Sequence, residues 1–579
     1  MRFYSELVFF AFWIAITIIF PAQVFGESKR PLELYRKEGQ LEPLPEGKAS
    51  LYRTPWRSNS RTVSAYEALQ KPGIYYKHVP DWTESEHFKV MEQLYEVGVR
   101  HLQFAPHWSI YITADWEEPA PGKQERLGKK LRAARAAGIR PYLGVPRIPP
   151  FGKPGTRQLQ KWWGQGELMP VGEVGSPEFN AYADKAYLAL KYVVEEARKA
   201  GFTEPKSYDM GVSMGLWWGV PSVTEPPPGA TLATLRPGGR VYEFEKRIVQ
   251  HLVQDGYRGP RLLENIHHNF SNIPAEEQLP KISGRVVSTY GIWTGKTNHG
   301  WLSNTQYERP RGVKDIWPVR NLEFMEGKPP TMVLARPESW MADFSRHDNL
   351  IHFLKNNKLP VAINSIGAVP RLIPEFEKSP FSGWEVKQRS LTRILAFWMN
   401  QGAEFVLLHS FYEGQRGSHG EMMHSLAPGL MDPKRFRWQD APPLRTMKRF
   451  IDGLEGAIPL ERITPLHFEY SVEPDPVLIP RTGQTGPMRA QDQVALLPFQ
   501  LDRNSYAVAA YICTPNIAER MKPLVMTLKI DRKILGPVEI LRPYNGLRIV
   551  KKVKNREEKS STLRFTVYDD VTWLRFSVE

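Results

Sequence analysis

Short runs of β-branched and aromatic residues alternate with stretches of helical periodicity eight times between residues 73 and 409. No other feature limits the fold of this chain as strongly. The strand-like runs fall at 73–79, 99–106, 139–145, 208–216, 261–266, 285–290, 359–364 and 404–409. Helical stretches lie between them at 85–97, 124–137, 243–255 and 387–400, and a longer one runs from 177 to 200. Ser176 reads as the N-cap of that long helix with Pro177 at its first position, and Gly138 stops the second helix. Eight such alternations predict a (β/α)8 TIM barrel of the α/β class. A doubly wound open sheet gives a similar rhythm, but no Gly-rich phosphate loop follows the first strand. A ninth strand-like run, 331–335, reads as part of a long insertion at 293–357, with the alternative that it is itself strand seven.

From about residue 459 the pattern changes to short alternating strands at 494–497, 505–512, 524–530, 538–541, 547–553, 562–567 and 572–578. These predict a C-terminal antiparallel β-sandwich. The stretch 474–492, rich in Pro, Gly and Gln, reads as a linker open to proteolysis. The expected organisation is therefore a signal peptide (1–26), a lead-in (27–72), the barrel (73–458) and the sandwich (459–579).

In the first segment Arg2 precedes an apolar run, and Val24, Phe25 and Gly26 offer a cleavage site. The rival reading is an uncleaved anchor, since residues 7–25 are nearly long enough to span a bilayer. Cleavage would remove Arg2 and Glu6, leaving the net charge of +15 unchanged. A basic exported chain is expected to be secreted, periplasmic or at the cell surface, with an acidic polysaccharide as partner. Nucleic acid is not expected, nor is a membrane after cleavage. The single cysteine, Cys513, excludes an intramolecular disulfide framework and multi-cysteine metal sites.

Active sites of such barrels sit at the carboxyl ends of the strands. Strand two leads into His107 and Trp108, strand three into Arg147, and strand four into Trp217 and Trp218. Strand five carries Glu264 and leads to His267 and His268, and strand six gives Tyr290 and Trp293. Strand eight leads into His409, Tyr412 and Glu413. Aromatic faces for sugar rings beside polar groups for hydroxyls are what a carbohydrate groove requires. The 17 tryptophans of the chain supply such faces, although many serve as core. Each candidate also has a plain packing or ion-pair reading; Trp217 and Trp218 cannot both face the lumen of one strand.

The order of segments resembles the clan A glycoside hydrolases, most nearly family 39, the β-xylosidase and α-L-iduronidase group. Val99-Arg100-His101-Leu102-Gln103-Phe104 resembles that family's second strand and Gly138-Ile139-Arg140-Pro141-Tyr142 its third. Val286-Val287-Ser288-Thr289-Tyr290-Gly291 is similar to its sixth, and 359–365 looks like the strand that ends in the nucleophile. The resemblance implies a barrel hydrolase with an appended sandwich. It also implies an acid/base glutamate after strand four and a nucleophile after strand seven. Those positions here read Val212-Ser213-Met214-Gly215 and Asn364-Ser365, with no carboxylate, so the family's mechanism does not transfer to them.

Glycosidic cleavage still needs a proton donor and a group that stabilises the oxocarbenium-like centre. The candidates are Glu264, Glu338 in Ala335-Arg336-Pro337-Glu338-Ser339-Trp340, and Glu413, with Glu225 behind them. Glu338 and Trp340 would occupy the nucleophile's place if 331–335 were strand seven. His409, His419, Glu421 and His424 lie close together, but their spacing fits no helical zinc pattern and Gly414, Gly417 and Gly420 imply a loop. No metal or cofactor is expected, and no Gly-x-Ser-x-Gly elbow follows a strand. The leading expectation is a polysaccharide-cleaving glycosidase working by carboxylate general acid/base chemistry. The alternatives are a non-catalytic carbohydrate-binding protein on the same scaffold and a surface-anchored structural protein.

Overall fold

The computed structural model describes residues 62–76, 79–104, 123–144, 174–203, 209–211, 261–265, 286–290 and 361–366. It also describes 383–408, 411, 432–473, 494–512, 522–553, 561–579 and seven positions between 243 and 255. After a two-residue strand β1 (Val63–Ser64) and a helical turn α1 (Ala65–Ala68), eight parallel strands pair in a closed ring. They are β2 (Pro72–Tyr75), β3 (His101–Phe104), β4 (Arg140–Gly144), β5 (Asp209–Gly211), β6 (Arg261–Asn265), β7 (Val286–Tyr290), β8 (Val361–Ile366) and β9 (Val406–Leu408). Strand β9 returns to β2 through the pairs Pro72↔Val406, Gly73↔Leu407 and Ile74↔Leu408.

Three of the helices between these strands fall within a residue of the sequence reading, and the last starts four residues early, at Gly383. Helix α2 (Glu84–Val97) opens on a capping box: Glu86 N–H donates to Thr83 Oγ1 at 3.3 Å, and Thr83 N–H donates to Glu86 Oε2 at 2.9 Å. It closes on Gly98 at φ 107°, where a β-carbon would also lie 2.7 Å from Ile451. Helix α3 (Lys123–Ala136) follows β3, and α4 (Pro177–Lys199) follows β4. As expected, Ser176 caps α4, accepting the Phe179 N–H at 3.1 Å, and Pro177 stands at its first turn. Helix α5 (Gly383–Gln401) joins β8 to β9, and α6 (Pro442–Asp452) follows the ring.

Alternation along the strands separates two cores. Ile74, Leu102, Phe104, Leu143, Val406 and Leu408 face outward and join the helices in one large apolar cluster. The lumen holds His101, Gln103, Tyr142, Phe405 and Leu407, with Tyr142 and His101 each against the Phe405 ring. Gly73 is required there: a β-carbon would come within 2.5 Å of Leu407 and 2.8 Å of His101.

Strand seven of the ring is β8, which pairs with β7 through Val287↔Val361 to Tyr290↔Asn364 and with β9 on its other side. The run 331–335 therefore does not take that place, and it lies outside the described residues. Glu338 and Trp340 thereby lose the strand-seven position that one reading gave them.

The rest of the chain forms two antiparallel sheets. Strands β10 (Phe468–Glu473), β13 (Leu524–Ile530) and β16 (Ser561–Val567) pair in the order β10-β13-β16. Strands β11 (Val494–Gln500), β12 (Ser505–Ile512), β14 (Ile534–Arg542), β15 (Leu547–Lys552) and β17 (Thr572–Val578) form the second sheet, ordered β1-β11-β12-β17-β14-β15. Residues from both sheets share one apolar cluster that includes Leu496, Val508, Leu528, Leu563 and Leu574. Two pairings bear on how the chain divides. Val63 and Ser64, in the lead-in, pair in parallel with Phe499 and Gln500 of the second sheet. The stretch 474–492 lies between β10 and β11, inside the antiparallel unit, because β10 is already paired with β13.

The two parts meet along a continuous seam. The opposite face of β11, through Ala495, Leu497 and Phe499, packs into the barrel's helical cluster, so all seven β11 residues are buried. Trp573 inserts its ring beside Phe450 and donates Nε1–H to the Phe450 carbonyl at 3.1 Å. Charge crosses the seam as well. Buried Arg389 of α5 pairs with Asp569, and Tyr544 O–H donates to Glu385 at 2.8 Å. Arg542 grips Asp570 through Nε (3.2 Å) and Nη2 (2.6 Å) while lying 3.4 Å over the Tyr568 ring. Burial pushes the Asp570 carboxyl above its ordinary range, against the opposing pull of Arg542.

Candidate active site

The strand ends of the ring are the place to look for chemistry, and the described residues reach them on one arc. His107, Trp108, Arg147, Trp217, Trp218, His267, Trp293, Glu338, Trp340, His409, Tyr412 and Glu413 lie outside the described residues, as do Glu225 and the histidine group near 419–424. The backbones of Glu264 and Tyr290 are described: Glu264 is next to last in β6, opposite Val287, and Tyr290 closes β7 opposite Asn364. The register runs Gln103↔Tyr142↔Asp209↔Arg261, and then Asn265↔Ser288. Asn364 occupies β8 itself, two residues before the strand ends at Ile366.

The arc formed by β9, β2 and β3 carries a cluster that the sequence reading did not single out. Tyr76, the residue after β2, extends the ladder: its N–H donates to the Gln103 carbonyl at 2.9 Å. On the other side Phe411 N–H donates to the Tyr75 carbonyl at 3.0 Å. The Tyr76 ring stacks on Phe411 with centroids 5.2 Å apart and meets Phe104 edge-on at 5.9 Å. Phe436 closes against Phe411 at 5.5 Å. The Tyr76 hydroxyl lies 3.1 Å from Nδ1 of His87, which projects from the first turn of α2, and Trp82 covers the imidazole at 5.4 Å.

His87 is fully buried, and burial, with the positive charges of Lys130, Arg126 and Lys129, pushes its pKa down to about 3. Burial likewise raises the Tyr76 phenol well above its usual range. Both groups are therefore neutral over the ordinary working range. Nε2 of His87 and Oε1 of Gln103 have no hydrogen-bond partner although both are buried. The sequence held one clue: His87 precedes Met91 and Leu94 by four and seven residues, on the face that α2 buries.

A second brace flanks β5. Asp184 of α4 accepts Arg247 Nε at 2.7 Å and Nη2 at 3.0 Å, and lies 2.7 Å from His251 Nε2. Asp255 joins Tyr187 and Lys191 of α4. These bonds tie α4 to the 243–255 segment on the other side of the strand. Among the described residues no group of three His, Cys, Asp or Glu side chains is arranged to hold a metal ion, and no helix is long and apolar enough to cross a membrane.

No protein-family model matches the chain, and no curated protein matches it. Among solved structures it is similar to a family 39 glycoside hydrolase from Bacteroides cellulosilyticus WH2, at 11% identity and a TM-score of 0.42, over 89% of this chain and 82% of that one. A family 5 glycoside hydrolase from Prevotella bryantii B14 is similar at 11% identity and 0.38, over 68% of this chain and 99% of that one. The endo-β-1,4-mannanase of Thermotoga petrophila is similar at 10% identity and 0.34, over 89% and 98%.

Proposed function

We propose that this chain is an exported glycoside-hydrolase-like protein that cleaves a polysaccharide at the carboxyl ends of its parallel ring. One observation carries the reading: eight parallel strands close on themselves, and the segments leaving their carboxyl ends are rich in tryptophan, histidine, tyrosine and glutamate. Trp108, Trp217, Trp218, Trp293, Trp340, Tyr290 and Tyr412 supply flat faces for sugar rings; His107, His267 and His409 supply hydrogen bonds. Arg147 suits a carboxylate or sulfate on an acidic sugar, because its planar fork engages such groups through two bonds.

Glu413 has the strongest claim among the carboxylates, since Phe411, two residues earlier, is bonded to the end of β2. Its partner is sought among Glu338, Glu264 and Glu225. A pair separated by about 5–5.5 Å implies retention and one by about 6.5–9.5 Å implies inversion.

The test is turnover and binding on a panel of neutral and acidic polysaccharides for the unmutated chain and for Glu413→Gln, Glu338→Gln and Glu264→Gln. A Gln keeps the shape of Glu but carries no titratable proton, so a catalytic position loses about 10²–10⁴-fold in turnover while binding persists. If all three variants keep full turnover, the carboxylate assignment is wrong. A chain that binds a glycan and never cleaves it is a carbohydrate-binding protein. Affinity for an acidic glycan should fall as salt rises; salt-independent binding of neutral glycans alone would remove the acidic substrate.

A further inference from the structure

We propose that Tyr76, oriented by His87, is a positioning residue that fixes the ends of strands eight and two beneath the substrate groove, an inference that rests on the carbohydrate reading above. Tyr76 stands where three strand ends converge. Its own N–H is bonded to β3, and the carbonyl of its neighbour Tyr75 accepts the Phe411 N–H just beyond β9. Its ring lies flat on Phe411 and edge-on to Phe104, the last residue of β3. Rotation of this one ring would therefore disturb the exits of both flanking strands.

What fixes the ring is His87. The capping box at Thr83 and Glu86 sets the first turn of α2, and that turn presents Nδ1 to the Tyr76 hydroxyl at 3.1 Å. Whichever tautomer is present, one proton is shared along this contact and the opposite nitrogen, Nε2, stays buried without a partner. A leucine or phenylalanine would fill the same space without an orphaned polar atom. The imidazole's distinctive contribution is the directed bond to the phenol, which an apolar residue cannot supply. Orienting a ring that packs under two strand ends is the service that bond performs. A displacement of about 1 Å at such an end costs up to about 10²-fold in rate when reacting groups must be aligned.

The experiment compares the unmutated chain with Tyr76→Phe, His87→Leu and His87→Asn, whose side-chain amide stands near the place of Nδ1. Three readouts are taken: Tm, amide hydrogen exchange over 405–411, and turnover with KM on soluble xyloglucan, mixed-linkage β-glucan, mannan and polygalacturonate. The expected result for His87→Leu and Tyr76→Phe is exchange at the strand-eight end about tenfold faster. Turnover should fall about tenfold with KM within about twofold. His87→Leu should keep its Tm, and His87→Asn should restore both rate and protection. Unchanged exchange and turnover in His87→Leu would overturn the proposal. So would losses that track a lower Tm and are not restored by asparagine, since those report packing alone. If the unmutated chain cleaves nothing, the hydrolase reading fails, and the exchange comparison still decides whether Tyr76 and His87 hold the strand ends.

Discussion

Strands β2, β3 and β9 are three or four residues long and buried at every position, whereas β13 and β16 run for seven residues with buried and more open positions in turn. Both regions also bury polar side chains. Beside the apolar cluster between the antiparallel sheets, the Tyr506 hydroxyl donates to the Thr464 carbonyl at 3.1 Å, buried Ser561 accepts the Ile534 N–H at 2.7 Å, and Thr572 Oγ1 is buried without a partner. The barrel arc buries Gln103 and His87 with polar atoms left over. A buried polar atom left without a partner costs stability in either region.

The largest effect is expected at the buried ion pair inside the antiparallel unit. Asp570→Leu strips Arg542 of its buried partner, and about 3–5 kcal/mol of unfolding free energy should disappear in urea titrations. Adding Arg542→Leu should recover most of it; a double variant as weak as the single one would show that packing, not charge, governs this site. Next in size is Leu528→Ala in the fully buried antiparallel core, expected to cost about 2–5 kcal/mol. His87→Leu in the barrel arc should cost almost nothing at neutral pH. Equal losses for the two would erase the distinction drawn between the regions.

Acid sharpens it further. His87 binds a proton far less readily when folded, with its pKa near 3, than when unfolded. Stability contributed by its neutral state is complete above the unfolded value of about 6.5 and declines as pH falls toward 3, by about 1.4 kcal/mol per unit. His87→Leu should flatten that decline between pH 6.5 and 3 by about 2 kcal/mol at pH 5; parallel pH profiles would show that His87 is not held neutral. The smallest effect belongs to the cap of α4. Ser176→Ala removes the bond to Phe179 N–H and should lower stability by about 1 kcal/mol, measurable as a shift in Tm.

How much could be read in advance follows from the same contrast. Strands with one open face announce themselves by alternation, and the reading at 524–530 coincides with β13. Short strands buried on both sides carry no period, so 73–79 ran past Tyr75. Helix starts were legible because capping is local: Ser176 and Pro177 need no distant partner. The tie between Val63 and Phe499 was not, since nothing near either residue encodes a partner so remote. The Tyr76–His87 couple escaped for a related reason, as a tyrosine after one strand and a histidine on the next helix acquire meaning only once folded together.

The strand order of the six-stranded sheet also sets a timetable. Its last strand in sequence, β17, lies in the middle, between β12 and β14, while β1, the first, waits at the edge beside β11. At about 5–20 residues per second, synthesis of Phe499 follows that of Val63 by roughly 20–90 s. Once α5 and α6 emerge, their outward faces wait for the second sheet, and the slot beside Phe450 stays open until Trp573 is made 123 residues later. Strand pairing cannot run from one edge to the other as the chain emerges. The newborn protein must keep its hydrophobic flank from neighbouring chains until β17 slides into the centre of the sheet.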